Sequence, residues 1–374
     1  MLDVTLVVLC AGNSTRFDKS CKKQWLRIQN EPLWLNVTNR LNSFSNFFET
    51  IVVSHKDELN YMKNFNEDYI YVEGGNTRQE SIKNSLKFVK TKYIMISDVA
   101  RACIPKIVIN ELLENKEKAA CIVPILDVSD TVIFNKNTIN RDEVKLIQTP
   151  QLSNTEILNK ALLTDIEFTD ESSAIKNIGE EILYIKGDIA SKKLTYIEDI
   201  KQIPCLKEPN KDFFVGTGFD IHAFEDDKEM FLGGIKIPCN YGFKAHSDGD
   251  VLIHSLIDAL LGAIGAGDIG EFFPDTDDTY KGIDSKILLE KIINFIYSVG
   301  YEIVNIDLTI IAQKPKINPF KQEIKSNISK LLNLPKQFIN VKATTAERLG
   351  FIGREEGVAV QSIANLKYYN WMEK

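Results

Sequence analysis

The first half of the chain alternates short apolar runs, rich in β-branched residues, with stretches of helical periodicity, and this alternation constrains the fold more than any other feature. The helical stretches include residues 78–90 and 105–116. Apolar strands that alternate with helices are typical of a parallel sheet covered by helices on both faces. We therefore predict a doubly wound, mainly parallel α/β sheet with strands VTLVVLC (4–10), TIVVSH (50–55), YIYVEGG (69–75), YIMISD (93–98) and CIVPIL (121–126).

The second half follows a different rhythm and predicts a separate α+β domain with a mixed sheet packed on helices. Residues 250–265 and 285–299 have helical spacing, and KEMFLGGIKIP (228–238) is typical of a hairpin. Long strands are predicted at 302–312, 338–345 and 357–369.

The segment between the halves, QIPCLKEPNKDF (202–213), carries two prolines and lacks periodicity, which predicts a linker. We expect a first domain over residues 1–202, a linker over 203–212 and a second domain over 213–374.

Composition excludes several classes of protein. Apolar residues make up 44% of the 374 residues and charged residues 26%, and the net charge of −7 argues against nucleic-acid and membrane partners. The start, MLDVTLVVLCAG, lacks a basic segment and predicts a strand, not a signal peptide. No apolar run approaches the roughly 20 residues that span a bilayer.

The cysteines favour a cytoplasmic location with reduced, mostly buried thiols. No CxxC pair occurs among Cys10, Cys21, Cys103, Cys121, Cys205 and Cys239.

The ends of the predicted parallel strands carry CAGNSTR, EGGNTR and SDVAR, where sheets of this kind bind ligands. Gly12 lets the backbone approach a ligand, and turn amides can face phosphate oxygens. Arg16 with Lys22 or Lys23 can neutralise the charge on a departing pyrophosphate. The alternative is a glycine-rich turn followed by solvated basic residues, and the chain has no Walker motif.

Three of the four histidines, His222, His246 and His254, lie close together in the second half. Asp220 and His222 are two apart on an extended segment, so their side chains share a face. With His254 from a helix they would leave one open position on a tetrahedral zinc ion. For His254 a hydrogen-bonded core histidine is the alternative. Asp250 and Asp258, four residues to either side, are candidate partners for its second ring nitrogen. For Asp258 the alternative is an exposed or substrate-side group.

Seven motifs in the first half occur in an order that resembles the methylerythritol phosphate cytidylyltransferases over residues 1 to about 200. They are VVLCAGNSTRF, KKQW, GGNTRQESI, SDVARA, DVSDT, TPQ and FTDESSAI. The resemblance implies a Rossmann-like nucleotidyltransferase domain that uses magnesium and transfers CMP from CTP to methylerythritol phosphate, releasing pyrophosphate.

That resemblance also implies roles for individual residues. The catalytic cations would be Arg16 and Lys23. CTP and its cytidine would be bound by Ala11, Gly12, Gly75, Asn76, Arg78, Ser81 and Asp98, and methylerythritol phosphate by Arg101, Thr131, Arg141 and Lys193. The chain departs from the family pattern at Ser14 and Asn76, where a glycine and an acidic residue are usual.

Motifs in the second half resemble the methylerythritol cyclodiphosphate synthases over residues 213 to about 370. They are GFDIHAF, KAHSDGDVLIH, GDIGEFFPDT, DLTIIAQKPKI and KATTAERLGFIGR. The resemblance implies cyclisation of the 2-phosphorylated cytidine diphosphate ester with release of CMP. It implies zinc on Asp220, His222 and His254, and magnesium or manganese on Glu347. His246 and Ser247 would position the attacking phosphate, and the substrate would contact Asp268, Gly270, Asp275, Ala312, Lys316, Ala343, Thr344, Thr345, Phe351 and Arg354. Ala346 replaces a threonine of the family.

Together the two resemblances imply a bifunctional isoprenoid-pathway enzyme with dimeric transferase sites and trimeric cyclase sites, a combination that can close as a hexamer. No segment resembles the kinase that acts between the two reactions, which makes contact with that kinase a further expectation. Two alternatives remain at this point: another nucleotidyltransferase joined to a zinc phosphohydrolase, or a non-catalytic scaffold for the kinase. A scaffold without catalytic activity would be expected to lack the catalytic cations and the metal-ligating residues, and those residues are present.

Overall fold

The computed structural model of the chain describes residues 2–17, 21–245, 247–274 and 276–373. It consists of two compact units, Met1–Glu208 and Pro209–Lys374. Part of the segment expected to be a linker belongs to the first unit: Ile203 is buried, and the backbone carbonyl of Glu208 accepts a hydrogen bond from Gln29.

The first unit is built on a sheet flanked by helices. Its strands are β1 (Val4–Leu9), β2 (Arg27–Ile28), β3 (Glu31–Pro32), β4 (Thr50–Ser54), β5 (Ile70–Glu73), β6 (Tyr93–Asp98), β7 (Cys121–Asp127), β8 (Val132–Phe134), β9 (Asn137–Ile139), β10 (Lys145–Ile147), β11 (Gln151–Asn154) and β12 (Ile182–Lys186). Its helices are α1 (Leu33–Asn42), α2 (Lys56–Lys63), α3 (Arg78–Leu86), α4 (Lys106–Glu114), α5 (Thr155–Ala161) and α6 (Glu171–Asn177). The first residues form a strand, as predicted.

The main sheet has the strand order β10-β7-β11-β6-β1-β4-β5, with β12 also paired to β7. β1 runs parallel to β4 and β6, and β4 runs parallel to β5, which confirms the mainly parallel sheet. Apart from the half-buried Leu9, the apolar side chains of β1, β4 and β6 are buried, as expected for strands covered on both faces. Two antiparallel strands were not predicted: β11 lies between β6 and β7, and β10 pairs with β7.

One pair of cysteines corrects the expectation that all six are reduced. Cys103 and Cys205 form a disulfide with a Cα–Cα distance of 5.8 Å, although 102 positions separate them in sequence. Cysteines that are close in sequence, as in a CxxC motif, can be recognised as a pair from their spacing. Cys103 and Cys205 are too far apart for this, so their pairing is seen only in the folded chain. The expected burial holds for Cys10 and Cys121, which remain thiols.

The second unit places helices on a mixed sheet, as predicted. Its strands are β13 (Phe213–Asp226), β14 (Met230–Leu232), β15 (Ile235–Ile237), β16 (Tyr241–Phe243), β17 (Tyr301–Ile311), β18 (Ile339–Thr344) and β19 (Gly357–Tyr368). Its helices are α7 (Val251–Ile264), α8 (Ile269–Phe272), α9 (Ser285–Ser298), α10 (Lys321–Leu331) and α11 (Gly350–Gly353). The sheet order is β16-β13-β19-β17-β18, in which only the β17–β18 pair is parallel among the described strands.

Helix α7 packs closely on β13, and two glycines make the approach possible. A Cβ atom at Gly216 would lie 2.1 Å from the carbonyl oxygen of Ala259, and one at Gly218 would lie 1.9 Å from that of Ser255. The helix is buried around almost its whole circumference, which explains its continuous apolar sequence. Across the described residues, no helix combines the length and the apolarity needed to cross a membrane.

Helix α10 was not predicted from the sequence. It buries Ile324 and Ile328, and most of its remaining side chains are polar and partly or fully exposed. Two buried positions give only a weak helical periodicity, so this helix is not recognisable from the sequence and is seen only where it packs in the tertiary structure.

Candidate active sites

A cleft of about 450 Å³ lies in the first unit beside the ends of β1, β5 and β6. The carboxyl ends of parallel strands meet at one edge of a sheet, so the turns that follow them converge there. Ten of the residues predicted for the transferase site line this cleft: Ala11, Gly12, Arg16, Lys23, Gly75, Asn76, Arg78, Ser81, Asp98 and Lys193.

Asp98, at the end of β6, connects two cations of the cleft. Its Oδ1 accepts a hydrogen bond from Nε of Arg78 at 3.1 Å, and its Oδ2 accepts one from Nζ of Lys193 at 2.6 Å. Burial alone would raise the pKa of this carboxyl, but the two cations hold it well below the usual range for aspartate. Asp98 therefore stays ionised and orients both side chains toward the cleft.

Glu171, at the start of α6, is a second carboxylate partner that sequence reasoning missed. Both of its oxygens accept hydrogen bonds from the guanidinium of Arg78, at 3.1 and 3.0 Å. Burial raises the pKa of Glu171, and the charge of Arg78 partly opposes that rise. The bidentate pair fixes the orientation of Arg78. Glu171 belongs to the FTDESSAI motif, which was the available sequence signal.

The structure separates the roles of the two adjacent lysines, which spacing alone left open and of which the family resemblance implied Lys23. Lys22 pairs with the buried Glu58, whereas Lys23 lines the cleft and donates to the carbonyl of Leu194 at 3.1 Å. Burial lowers the pKa of Lys23, and the charges of Lys193 and Arg16 lower it further. Lys23 is thus one of four cations that line the cleft, with Arg16, Arg78 and Lys193.

Ser14 and Gln24 hold the glycine-rich turn in place, and neither was predicted to do so. Ser14 has a left-handed backbone with φ of 53°, and its Oγ accepts a hydrogen bond from the amide of Lys23 at 3.0 Å. Gln24 donates to the carbonyl of Gly12 at 3.1 Å. These contacts tie the turn to the segment that carries Lys23.

Three residues predicted to bind methylerythritol phosphate do not line the cleft in the described part of the chain. Arg101 donates to the Oγ1 of Thr149 at 3.1 Å and to the carbonyl of Ser191 at 2.7 Å. Thr131 and Arg141 are exposed and flank the β8–β9 hairpin, whose apolar tip residues Ile133 and Phe134 are also exposed.

The second unit brings Asp220, His222 and His254 together as a candidate metal centre. One potential ligand atom from each lies within 4.8 Å of the others. Oδ2 of Asp220 is 3.2 Å from Nε2 of His222 and 3.5 Å from Nδ1 of His254. Ligand atoms about 2.0–2.1 Å from a tetrahedral zinc ion are about 3.4 Å apart, so the separations fit such an ion.

Hydrogen bonds on the far side of each ring orient the two histidines. Nδ1 of His222 lies 2.9 Å from the carbonyl oxygen of Gly249, which can only accept, so this nitrogen carries the hydrogen and Nε2 faces the cluster. Nε2 of His254 lies 3.1 Å from Oγ of Ser247 and 3.0 Å from Oγ of Ser285.

The partners of His254 differ from those considered in the sequence. The carboxylate of Asp250 caps α7, accepting from the amides of Leu252 and Ile253, and also accepts from the Gly233 and Gly234 amides. Oδ1 of Asp258 accepts from the amide of Ile269 at 2.9 Å. Neither aspartate forms the hydrogen bond to Nε2 of His254, which lies beside Ser247 and Ser285 instead.

The three candidate metal ligands line a cavity of about 410 Å³. Of the residues predicted for the cyclase, Ser247 and Gly270 line it along with the three candidate ligands. Asp268 instead caps the short helix α8, accepting from the amide of Glu271 at 3.1 Å. His246 and Asp275 lie outside the described residues. Asp258 also lines the cavity, in keeping with its alternative role on the substrate side, and so does Tyr280, which was not predicted.

The predicted cytidine diphosphate segment is not part of this cavity among the described residues. Ala343 and Thr344 lie at the end of β18, next to Ala312 after β17, whose amide donates to the carbonyl of Thr344 at 3.0 Å. Oγ1 of Thr345 donates to Oε1 of Glu347 at 2.6 Å. Lys316, Phe351 and Arg354 also do not line the metal cavity.

Comparisons with known proteins match both units. The family model described as 2-C-methyl-D-erythritol 4-phosphate cytidylyltransferase matches residues 4–204, and the model of the YgbB family matches residues 213–367. A protein of Aliarcobacter butzleri named "Bifunctional enzyme IspD/IspF" is 70% identical over 374 residues, covering 100% of both chains. One of the same name from Nitratiruptor is 52% identical and also covers 100% of both.

A solved structure matches the whole chain as well. "Structure of the Bifunctional IspDF from Campylobacter jejuni" has a TM-score of 0.88 and 47% sequence identity, and the match covers 99% of each chain. Full-length similarity to relatives and to this structure, with a family model matching each unit, places the chain in one family. The chain belongs to the bifunctional IspD/IspF enzymes, which join a cytidylyltransferase and a cyclodiphosphate synthase of isoprenoid biosynthesis in one polypeptide.

Proposed function

We propose that the first unit transfers CMP from CTP to 2-C-methyl-D-erythritol 4-phosphate. An oxygen of the 4-phosphate attacks the α-phosphorus of CTP, the bond from that phosphorus to the bridging oxygen breaks, and pyrophosphate leaves. The observation that carries the proposal is the grouping of Arg16, Lys23 and Lys193 along one cleft beside a glycine-rich turn. Cations fixed where charge develops lower the barrier to such a transfer.

The remaining transferase roles are proposed from the resemblance to the family. We propose that Gly75, Asn76 and Ser81 contact the cytidine of CTP, with Ala11 and Gly12 near its phosphates. Magnesium would enter bound to CTP, because Asp98 already pairs with Arg78 and Lys193. The sugar phosphate would be held by Arg101, Thr131, Arg141 and Lys193.

The second unit is proposed to form 2-C-methyl-D-erythritol 2,4-cyclodiphosphate. An oxygen of the substrate's 2-phosphate attacks the β-phosphorus, the bond from that phosphorus to the oxygen bridging the α-phosphorus breaks, and CMP leaves. Asp220, His222 and His254 have the donor set and spacing for zinc, and Glu347 is the proposed ligand of magnesium or manganese. Such ions would supply Lewis acidity and charge neutralisation at the diphosphate.

The chain's own groups provide alignment in this reaction. Ser247, beside His254 on the cavity wall, is proposed with His246 to position the attacking phosphate. Asp268, Gly270 and Asp275 would bind the erythritol hydroxyls. The cytidine diphosphate would contact Ala312, Lys316, Ala343, Thr344, Thr345, Phe351 and Arg354.

We further propose an oligomer in which cyclase sites are shared between subunits of a trimer. One face of β13 packs on α7, while its other face exposes Phe213, Val215 and Phe219. A row of exposed apolar side chains on a sheet marks an interface. The exposed β8–β9 hairpin with Ile133 and Phe134 is the proposed dimer contact of the transferase, so the two contacts together close a hexamer.

Mixing two inactive variants tests the shared site. His254→Ala and Thr345→Trp should each abolish cyclisation alone and regain part of it in mixed oligomers. No recovery in oligomers shown to be mixed would place each cyclase site within one chain. Light scattering that finds a monomer would contradict the hexamer.

We propose a cytoplasmic enzyme whose first product must pass to a separate kinase before the second unit can act. Mass spectrometry of the products tests both activities directly. CTP with methylerythritol phosphate should yield the cytidine diphosphate ester and pyrophosphate, and its 2-phosphorylated form should yield the cyclodiphosphate and CMP. A chelator should stop both reactions. Equal use of other nucleoside triphosphates would favour a different nucleotidyltransferase, and no turnover of either substrate would favour a scaffold.

A further inference from the structure

His254 is held by a hydrogen-bonded chain that begins at the start of α9. Oγ of Ser285 lies 3.0 Å from Nε2 of His254 and 2.5 Å from Oδ1 of Asp248. The backbone amide of Ser285 donates to the other oxygen, Oδ2, of Asp248 at 3.2 Å. Ser285 is completely buried, so water does not compete for its hydroxyl.

The direction of the hydrogen bonds follows from which groups can donate. The carboxylate of Asp248 can only accept, so the short contact consumes the single hydroxyl hydrogen of Ser285. The Ser285 oxygen is then left as an acceptor toward His254, and Nε2 must supply the hydrogen. A neutral imidazole with its hydrogen on Nε2 has its lone pair on Nδ1, which is the atom 3.5 Å from Asp220.

We propose that Asp248 and Ser285 are positioning residues for the metal site: Ser285, oriented by Asp248, accepts the Nε2 hydrogen of His254 and keeps Nδ1 free to bind the metal ion. Neither residue touches the proposed ion. The inference rests on the zinc site proposed for Asp220, His222 and His254.

Ser247 also contacts Nε2 of His254, but its position differs. It lines the cavity, and its Oγ accepts from the amide of Gly249 at 3.1 Å, while no carboxylate among the described residues accepts from its hydroxyl. Its hydroxyl can therefore rotate toward a substrate, whereas the hydroxyl of Ser285 is committed to Asp248. The orientation of the ring is thus assigned to Ser285.

The test measures zinc affinity on the full chain stripped of metal, by competition with a chromophoric chelator. Ser285→Ala and Asp248→Asn should each weaken zinc binding by about 10–100-fold, the effect expected for a group that orients a metal-binding histidine. Ser362→Ala is the matched control, since Ser362 is equally buried and bonds to Ser255 instead. It should bind zinc like the wild type, and CMP transfer should be retained in all three.

Histidine tautomers provide a readout independent of activity. The chain has four histidines, so selective ¹⁵N labelling with His254→Ala for assignment isolates the His254 signal. The metal-free wild type should show hydrogen on Nε2, and Ser285→Ala should shift the population toward Nδ1. Wild-type affinity and an unchanged tautomer in both variants would overturn the inference while leaving the zinc site intact. Zinc binding that survives His254→Ala unchanged would instead overturn the proposed site itself, and the inference with it.

Discussion

Nζ of Lys193 lies 2.6 Å from Oδ2 of Asp98, although 95 positions separate the two residues. The contact joins the end of a central strand to the segment that follows β12, the last strand of the first unit. Asp98 also holds Arg78, so one buried carboxylate sets the direction of two cations at the cleft.

Asp98→Asn should lower CMP transfer by about 100-fold, because Arg78 and Lys193 lose the charge that orients them and small displacements of positioned groups cost this much. Cyclisation should be unchanged, since its site lies in the other unit. Steady-state assays of both reactions check this. Asp165→Asn, which changes an exposed aspartate of the same unit, is the control and should leave both rates as in the wild type.

The ion pairs of Asp98 should make the stability of the first unit depend on pH. The pKa of Asp98 in the folded state lies below the value of about 3.9 for an unfolded aspartate. Its ion pairs therefore stabilise the folded unit fully above that value, and the stabilisation is lost as the pH falls toward the folded-state pKa. Urea unfolding should show Asp98→Asn less stable than wild type by about 3 kcal/mol at pH 7, with a smaller difference near pH 3. A difference that grows on acidification would contradict the assignment.

Substituting the adjacent residues Lys22 and Lys23 should affect different properties, stability for Lys22 and activity for Lys23. Lys23→Ala should lower the kcat/KM of CMP transfer by about 100-fold or more, because one fixed cation of the cleft is lost. Lys22→Ala should chiefly destabilise the first unit, by about 1–3 kcal/mol, because Glu58 is left buried without its cation. Kinetics and urea unfolding of both variants test the distinction. Equal loss of activity in the two would mean that Lys22 also acts at the cleft.

His254→Ala should abolish zinc binding at the second unit and cyclisation, since it removes one of three candidate ligands. CMP transfer should remain near the wild-type rate. Metal analysis together with both assays checks the prediction, and Arg16→Ala supplies the converse case, losing transfer but keeping cyclisation. A variant in which both activities fall together would count against independent sites.

Cutting the chain after Glu208 should yield two folded fragments, because the two compact units meet at that position. A cut at residue 202 should leave the first fragment less stable, since it removes Ile203 and Cys205, which pack and pair within that unit. Thermal unfolding of fragments 1–202 and 1–208 compares the two cuts. Equal stability would mean that residues 203–208 contribute nothing to the first unit.

Much of the fold could be predicted because its signals are local. Continuous apolar strands alternating with helices predict a mainly parallel sheet, and the spacing of apolar residues over 250–265 predicts the helix found at Val251–Ile264. The motifs also indicate both chemistries, and Asp220 and His222 share a face of β13 because alternate residues of a strand point the same way.

Other features depend on contacts between residues far apart in sequence. Lys22 and Lys23 are equivalent by spacing, and only the folded chain sends one to Glu58 and the other to the cleft. The disulfide of Cys103 with Cys205 has the same origin.

Local sequence patterns predict most of the helices and strands, whereas packing between distant segments sets which side chains meet. His254 shows the division clearly. The local spacing of apolar residues predicts that His254 lies on an apolar helix, and Asp250 was a candidate partner because it lies four residues earlier on that helix. In the structure Asp250 caps the helix, and the second ring nitrogen faces Ser285 at the start of another helix. Helical spacing brings side chains to one face, but the direction of a hydrogen bond depends on which element packs against that face.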